Sequence, residues 1–204
     1  MKKRLDKEDV VTVNTDASYE PNRKTGGYGI WIKSNFFTIK KAGQFKGQVN
    51  DSNEAEIKAL INALHILKKN PRKFKGLVIN CDNAAARDIV NTGRVAERFK
   101  EEGNKLKELL KDYKFAKAKV IRGHKDGHNA RQWVNNWCDN ASKEYRRKEM
   151  SKEIKKLEKE ISDLEYMATG LTYEHQQEVK LGLLSKVEAL KSIVKDLKQK
   201  ETEE

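Results

Sequence analysis

The sequence predicts an α/β domain, a mixed sheet packed with helices, followed by an antiparallel helical hairpin. Three observations carry this. β-Branched runs of period two recur at residues 10–15 and 77–82. Stretches with helical spacing of apolar residues lie between and after them. Beyond residue 149 the apolar residues step by three and four in two separate seams. With 204 residues, the chain is long enough for one domain with a real core and an appendage.

The elements follow in order. Residues 1–9 form a short basic N-terminal segment. Val10 to Thr15 alternates and reads as a strand. "EPNRKTGGYG" is turn-rich, and Gly29 to Lys33 and Phe36 to Lys41 read as two more strands, antiparallel neighbours of the first. Ser52 or Asn53 can cap a helix that runs to about Lys69 and is ended by Asn70 and Pro71. Leu77 to Asp82 is a strand, and a short helix from Ala84 to Asn91 is closed by Thr92 and Gly93. A further helix lies near Asn104 to Tyr113. Ala118 to Ile121 is the last strand, "RGHKDGHN" a polar loop, and a helix starts near Ala130. Strands first in series and then alternating with helices give a mixed sheet with helices packed on it. The domain is expected over 10–148 and the hairpin over 149–204. In the latter, Ile154, Leu157, Ile161, Leu164 and Ala168 form one seam, and Leu183, Val187, Leu190, Val194 and Leu197 the other. Thr169 and Gly170 read as a stop and Thr172 as a new cap. Any apolar face left over, including Leu171, Leu181 and Leu184, is expected to meet a second copy of the chain or another protein.

Charge separates the two parts. Residues 1–149 hold 33 Lys and Arg against 19 Asp and Glu, whereas residues 150–204 hold 10 against 12. The basic excess therefore belongs to the domain, and a basic domain attracts polyanions such as nucleic acid. No apolar run reaches membrane-span length, and the charged N-terminus does not lead into a signal-type apolar stretch, so no membrane partner is expected. Cys81 and Cys138 fit no metal-ligand spacing. They are expected as buried reduced thiols, which suits a cytoplasmic location.

Two strands end unusually. "VTVNTDAS" stops on Asp16 and "LVINCDNA" on Asp82, each with an Asn two residues earlier. A strand–helix–strand crossover makes these strands parallel and brings their carboxyl ends together. On the following helix Glu56, Leu60, Ala63 and Leu67 share one stripe, which places Glu56 at the apolar face. Glu54 is expected on the polar face with Asn62 and His65. Carboxylates facing inward are costly and repel one another, and a divalent cation compensates both effects. Oxygen ligands with no Cys or His cluster indicate Mg²⁺ or Mn²⁺. Trp133 and Trp137, four apart on the last helix, are expected to pack rather than to stack on a ligand.

Four motifs in order carry a family resemblance: Asp16-Ala17-Ser18 with Gly-Gly-Tyr-Gly at 26–29, "SNEAEIKALINAL", "NCDNA", and "VIRGHKDGHNARQWVNNWCDNAS". Over about Val10 to Arg147 the chain resembles ribonuclease H of type 1. The resemblance implies a five-stranded mixed sheet flanked by helices. It implies hydrolysis of the RNA strand of RNA–DNA hybrids with two divalent ions, leaving 5′-phosphate and 3′-hydroxyl ends. It adds Asp139 to Asp16, Glu56 and Asp82 as metal-binding and catalytic residues, and His124, with His128 as its rival, as the loop histidine that assists. Ser18, Ser52 and Asn53 are the implied contacts to the RNA 2′-hydroxyls, and Arg122 belongs to the scattered basic residues that would add affinity. Two departures are visible. Ala84 stands where many relatives carry Gln, and the segment from Asp82 to His124 is short for a basic handle helix. The alternatives are another metal-dependent nuclease or integrase of the same fold, and a non-catalytic hybrid-binding or assembly module.

Overall fold

The computed structural model describes residues 9–120, 130–172 and 176–203. The chain divides into two compact units, one up to Arg146 and one from Arg147. In the first, β1 (Val10–Glu20), β2 (Thr25–Lys33) and β3 (Thr38–Gln44) form an antiparallel meander. Then come α1 (Ser52–Lys68), β4 (Gly76–Cys81), α2 (Ala84–Thr92), a 3-10 turn (Glu97–Phe99), α3 (Lys100–Leu110), β5 (Phe115–Val120) and α4 (Ala130–Thr169). The sheet order is β3-β2-β1-β4-β5, with β4 parallel to both β1 and β5. It is the expected five-stranded mixed sheet.

One face of the sheet is apolar because alternate residues point the same way. Val11, Val13, Ile30, Ile32, Leu77 and Ile79 are fully buried against Ile57, Leu60 and Leu64 of α1 and Leu106 of α3. The other face meets α4. Here β2 presents Gly27 and Gly29, and a methyl group on either would overlap a backbone carbonyl of α4, that of Ser142 or Cys138. The Ser18 hydroxyl donates to Ser142 O at 3.0 Å and accepts from Gly27 N at 3.3 Å, pinning helix to sheet. The glycines of the turn-rich reading are thus strand residues, selected for close approach and not for a turn. β2 begins four residues earlier than the pattern suggested, and β1 runs on to Glu20 to pair with it.

Helix ends also differ from expectation. The cap of α1 is Asp51, whose carboxylate accepts from Glu54 N at 2.9 Å; Ser52 is its first residue. α3 starts at Lys100, ahead of the expected Asn104, because the 3-10 turn buries Phe99 and leads straight into it.

In the second unit, the later part of α4 packs against α5 (Gln177–Glu203) through Met150, Ile154, Ile161, Val187 and Val194, flanked by Leu157, Leu164, Leu190 and Leu197. Glu158 pairs with Lys198 at 2.8 Å and Glu165 with Lys191 at 3.0 Å. Ascending positions on one helix meet descending positions on the other, so the two are antiparallel. α5 starts later than a Thr172 cap implied. Val179, Leu181 and Ile193 remain exposed on it. Among the described residues no helix is long and apolar enough to cross a membrane.

Two glycines should respond in opposite ways. Gly29→Ala forces β2 and α4 apart and should cost about 1–3 kcal/mol or more in urea unfolding. Gly182→Ala, inside α5 with nothing within 4 Å of the added carbon, should stabilise the hairpin by up to ~1 kcal/mol in thermal melts. Equal effects would show that the close approach at Gly29 does not matter.

Candidate active site

The site starts from a hydrogen-bonded pair of amides. Asn14 and Asn80 face each other as the last residue pair of the parallel β1–β4 ladder. Asn80 Nδ2 donates to Asn14 Oδ1 at 2.9 Å, and Asn14 Nδ2 donates to Trp31 O at 3.2 Å. Both amides are buried, so these bonds satisfy groups that would otherwise be costly. They tie β4, β1 and β2 together just below the point where β1 and β4 part. Two residues further on, along the same face, stand Asp16 and Asp82. Asp16 does not end its strand. It lies within β1, opposite Gly29 of β2, and what ends at this level is the parallel pairing. Asp82 follows the last residue of β4 and is exposed.

α1 brings Glu56 to the same place. Its Oε1 accepts from Ala17 N at 2.9 Å, while Oε2 is buried without a hydrogen-bond partner. α4 carries Asp139 on the turn following Asn135, and Asp139 pairs with Lys143 one turn on at 2.9 Å.

The electrostatics show how close these acids are. Burial, then the charges of Asp82 and Asp139, push the Asp16 carboxyl up to about 7. Burial, then Asp16 and Asp82, hold Glu56 well above the carboxylate range. Asp16 and Glu56 are only 7% and 8% exposed. Burial also raises the thiols of Cys81, to about 12 with Glu56 adding to the shift, and of Cys138; both are free and unreactive. Among the described residues no three acid, His or Cys side chains form a ready-made metal cage. Even so, the donor set fits a hard divalent cation. It offers carboxylate oxygens only, one of them buried and unpartnered, in a field that disfavours more than one negative charge.

A model of the RNase H family matches residues 8–147. The chain belongs to the RNase H family. Solved structures agree in fold. RNase H1 from the halophilic archaeon Halobacterium salinarum NRC-1 superposes with a TM-score of 0.51 at 16% identity, covering 67% of this chain and 96% of that one. The N-terminal RNase H domain of a Mycobacterium tuberculosis protein, solved as a fusion with maltose binding protein, gives 0.52 at 14% identity, covering 66% and 97%. None of the curated proteins is detectably similar in sequence.

The RNase H domain thus gathers Asp16, Glu56, Asp82 and Asp139 at one end of the sheet. Ser18 is buried and makes the two internal bonds described above. Ser52 is exposed at the start of α1. Asn53 Oδ1 accepts from Asn83 Nδ2 at 2.8 Å, and Asn83 also caps α2. Asn83, which joins the two helix starts beside Asp82, and Lys143 were not singled out from the sequence. A Lys four residues after an Asp on one helix is the signal for the second. Arg122, His124 and His128 lie outside the described residues.

Two expectations need correction. Glu54 is not a polar-face residue; it is 5% exposed. Its Oε2 accepts from Asn50 Nδ2 at 2.7 Å, and Lys58 pairs with its other oxygen. Burial raises its pKa, but these bonds outweigh that and hold it lowered. Trp133 does not pack away. Trp31 is buried, with Trp137 edge-on to it at 5.3 Å, yet Trp133 is 58% exposed.

Asp16→Asn should stabilise the metal-free protein in a pH-dependent way. With a folded pKa of about 7 against 3.8, wild-type Asp16 adds stability below pH 3.8 that is lost as pH rises through 7. The variant's advantage should therefore grow across that window and level off above it, on the order of 2–4 kcal/mol. Chemical denaturation with EDTA at several pH values measures it, and a pH-independent difference would refute the coupling. Glu54→Gln breaks the buried set with Asn50 and Lys58, and should lose about 1–3 kcal/mol in the same assay.

Proposed function

We propose that this RNase H domain is an endonuclease that hydrolyses the RNA strand of RNA–DNA hybrids with divalent ions, leaving 5′-phosphate and 3′-hydroxyl ends. The observation that carries the reading is the convergence of Asp16, Glu56, Asp82 and Asp139 from two strands and two helices onto one partly buried point. Nothing in the fold's stability calls for that convergence. The mutual repulsion seen at Asp16 and Glu56 is a standing cost that bound Mg²⁺ or Mn²⁺ would offset. When bound, the ions supply Lewis-acid polarisation of the phosphate and an activated water, the usual two-ion chemistry of phosphodiester hydrolysis.

The chain's own groups do the rest. Glu56 is oriented by the Ala17 amide, which leaves its second oxygen pointing among the other acids. Lys143 pairs with Asp139, and its positive charge also acts on Asp16, partly offsetting the repulsion among the acids. The Asn14–Asn80 bond keeps the two strand carboxylates level. Ser52 and Asn53, at the start of α1, are assigned to the 2′-hydroxyls in the shallow minor groove of a hybrid, and Arg122 to attraction for the backbone. His124 takes the proton-transfer role, since imidazole titrates near neutrality.

The test is to incubate the full chain with labelled hybrid, RNA duplex, DNA duplex and single strands, with and without Mg²⁺. Cleavage should fall on the RNA of the hybrid alone and stop with EDTA. Glu56→Gln should lower the rate at least ~100-fold, whereas Glu54→Gln should leave the rate per folded molecule nearly unchanged. His124→Ala should slow turnover more than His128→Ala. Cleavage of DNA duplex at a similar rate, or activity that survives EDTA, would overturn the reading.

A further inference from the structure

The β2–β3 edge of the sheet carries a second feature that the acids do not explain. Between Glu20 and Asp51 there is no acidic residue and there are six basic ones: Arg23, Lys24, Lys33, Lys40, Lys41 and Lys46. Trp31 of β2 pairs in register with Lys40 of β3, and Lys33 with Thr38. These side chains share the sheet face opposite the buried Ile30 and Ile32. Lys40 Nζ lies 3.9 Å from the centre of the Trp31 ring, and 5.8 and 5.7 Å from the rings of Trp133 and Trp137. Trp133 meets Trp31 edge-on at 5.1 Å and 77°, and more than half of it stays open to solvent. Among the described residues neither Lys33 nor Lys40 pairs with an acid.

Lysines on an edge strand can simply prevent edge-to-edge association. That accounts for Lys40 and Lys41. It does not account for Lys33, on the inner strand β2, or for an open indole beside them. We propose that this edge, with Trp133 as a stacking platform and Lys33 and Lys40 as phosphate contacts, binds a single-stranded stretch of nucleic acid adjoining the hybrid. Bases in a duplex are already stacked, so an exposed indole has most to offer an unpaired base, and lysines beside it follow the backbone. The adjoining hybrid rests on the nuclease reading; the single-strand contact stands apart from it.

The experiment uses the full chain in EDTA, so that no cleavage occurs. Fluorescence anisotropy follows binding of labelled oligothymidine of about 20 nucleotides, of a blunt hybrid, and of the same hybrid with a thymidine tail. Trp133→Ala should weaken binding to oligothymidine and to the tailed hybrid roughly tenfold. Lys33→Gln should weaken both less and reduce the salt slope by about 0.7. Binding of the blunt hybrid should not change. Unchanged oligothymidine affinity in both variants overturns the proposal, as does equal weakening for blunt and tailed hybrids. If Trp133→Ala fails to fold, Lys33→Gln, at an exposed position, decides alone. A protein that binds oligothymidine in this way but leaves hybrid uncut in Mg²⁺ would sink the nuclease reading and keep this one.

Discussion

Two strands locked in parallel by the Asn14–Asn80 hydrogen bond set the terms for the rest of the domain. The bond fixes the register at the last paired position, so Asp16 and Asp82 emerge side by side and cannot slip apart. A slip of one residue by either strand would turn its own carboxylate to the apolar face, against Leu60 and Leu64, and away from the other. A slip of two would separate them along the sheet by roughly 7 Å. The amides are themselves buried, and their second hydrogen bond, to the Trp31 carbonyl, extends the same constraint to β2. A local polar network thus does what apolar packing cannot: it specifies one alignment among several that would bury the same surface.

The cost of that alignment is visible in the acids. Asp16 and Glu56 sit where burial and neighbouring charge both disfavour ionisation, and the surrounding structure holds them there all the same. Each is restrained from a different direction. β1 and β4 supply the two aspartates, α1 anchors Glu56 to the Ala17 amide, and α4 carries Asp139 across the opposite face of the sheet. A well-packed core of Val11, Val13, Ile57, Leu60 and Leu77 provides the stability against which the repulsion is set. In an ordinary domain such charges would move to the surface. Their retention is the strongest physical argument for a chemical role.

Much of this was legible in the sequence, for identifiable reasons. Period-two runs ending in Asp gave β1 and β4, and the 3.6-residue stripe through Leu60, Ala63 and Leu67 placed Glu56 correctly. The alternating three and four steps marked both hairpin seams. Long-range partners were not legible. Glu54 looks polar on a helical projection, yet Asn50 and Lys58 close over it. Asp51, Ser52 and Asn53 are all good caps by residue type, and only the backbone angles single out Asp51. Gly26 and Gly27 read as part of a turn-rich loop, because local propensity does not register a helix that arrives more than a hundred residues later. Trp133 and Trp137 share a spacing and both meet the buried Trp31 edge-on, but Trp133 stays mostly open to water.

The glycine contact between β2 and α4 has a consequence for how this domain can change over time. At Gly27 and Gly29 the partner surface is main chain, the carbonyls of Ser142 and Cys138. Glycine is the smallest residue, so every replacement adds bulk. On the helix side there is no side chain to trim in compensation. Most packing contacts can be rescued by a reciprocal change, large for small and small for large. This one has no reciprocal partner. It can be lost, but a second substitution in the facing residues cannot repair it, so an evolutionary path through those two positions closes once it is entered.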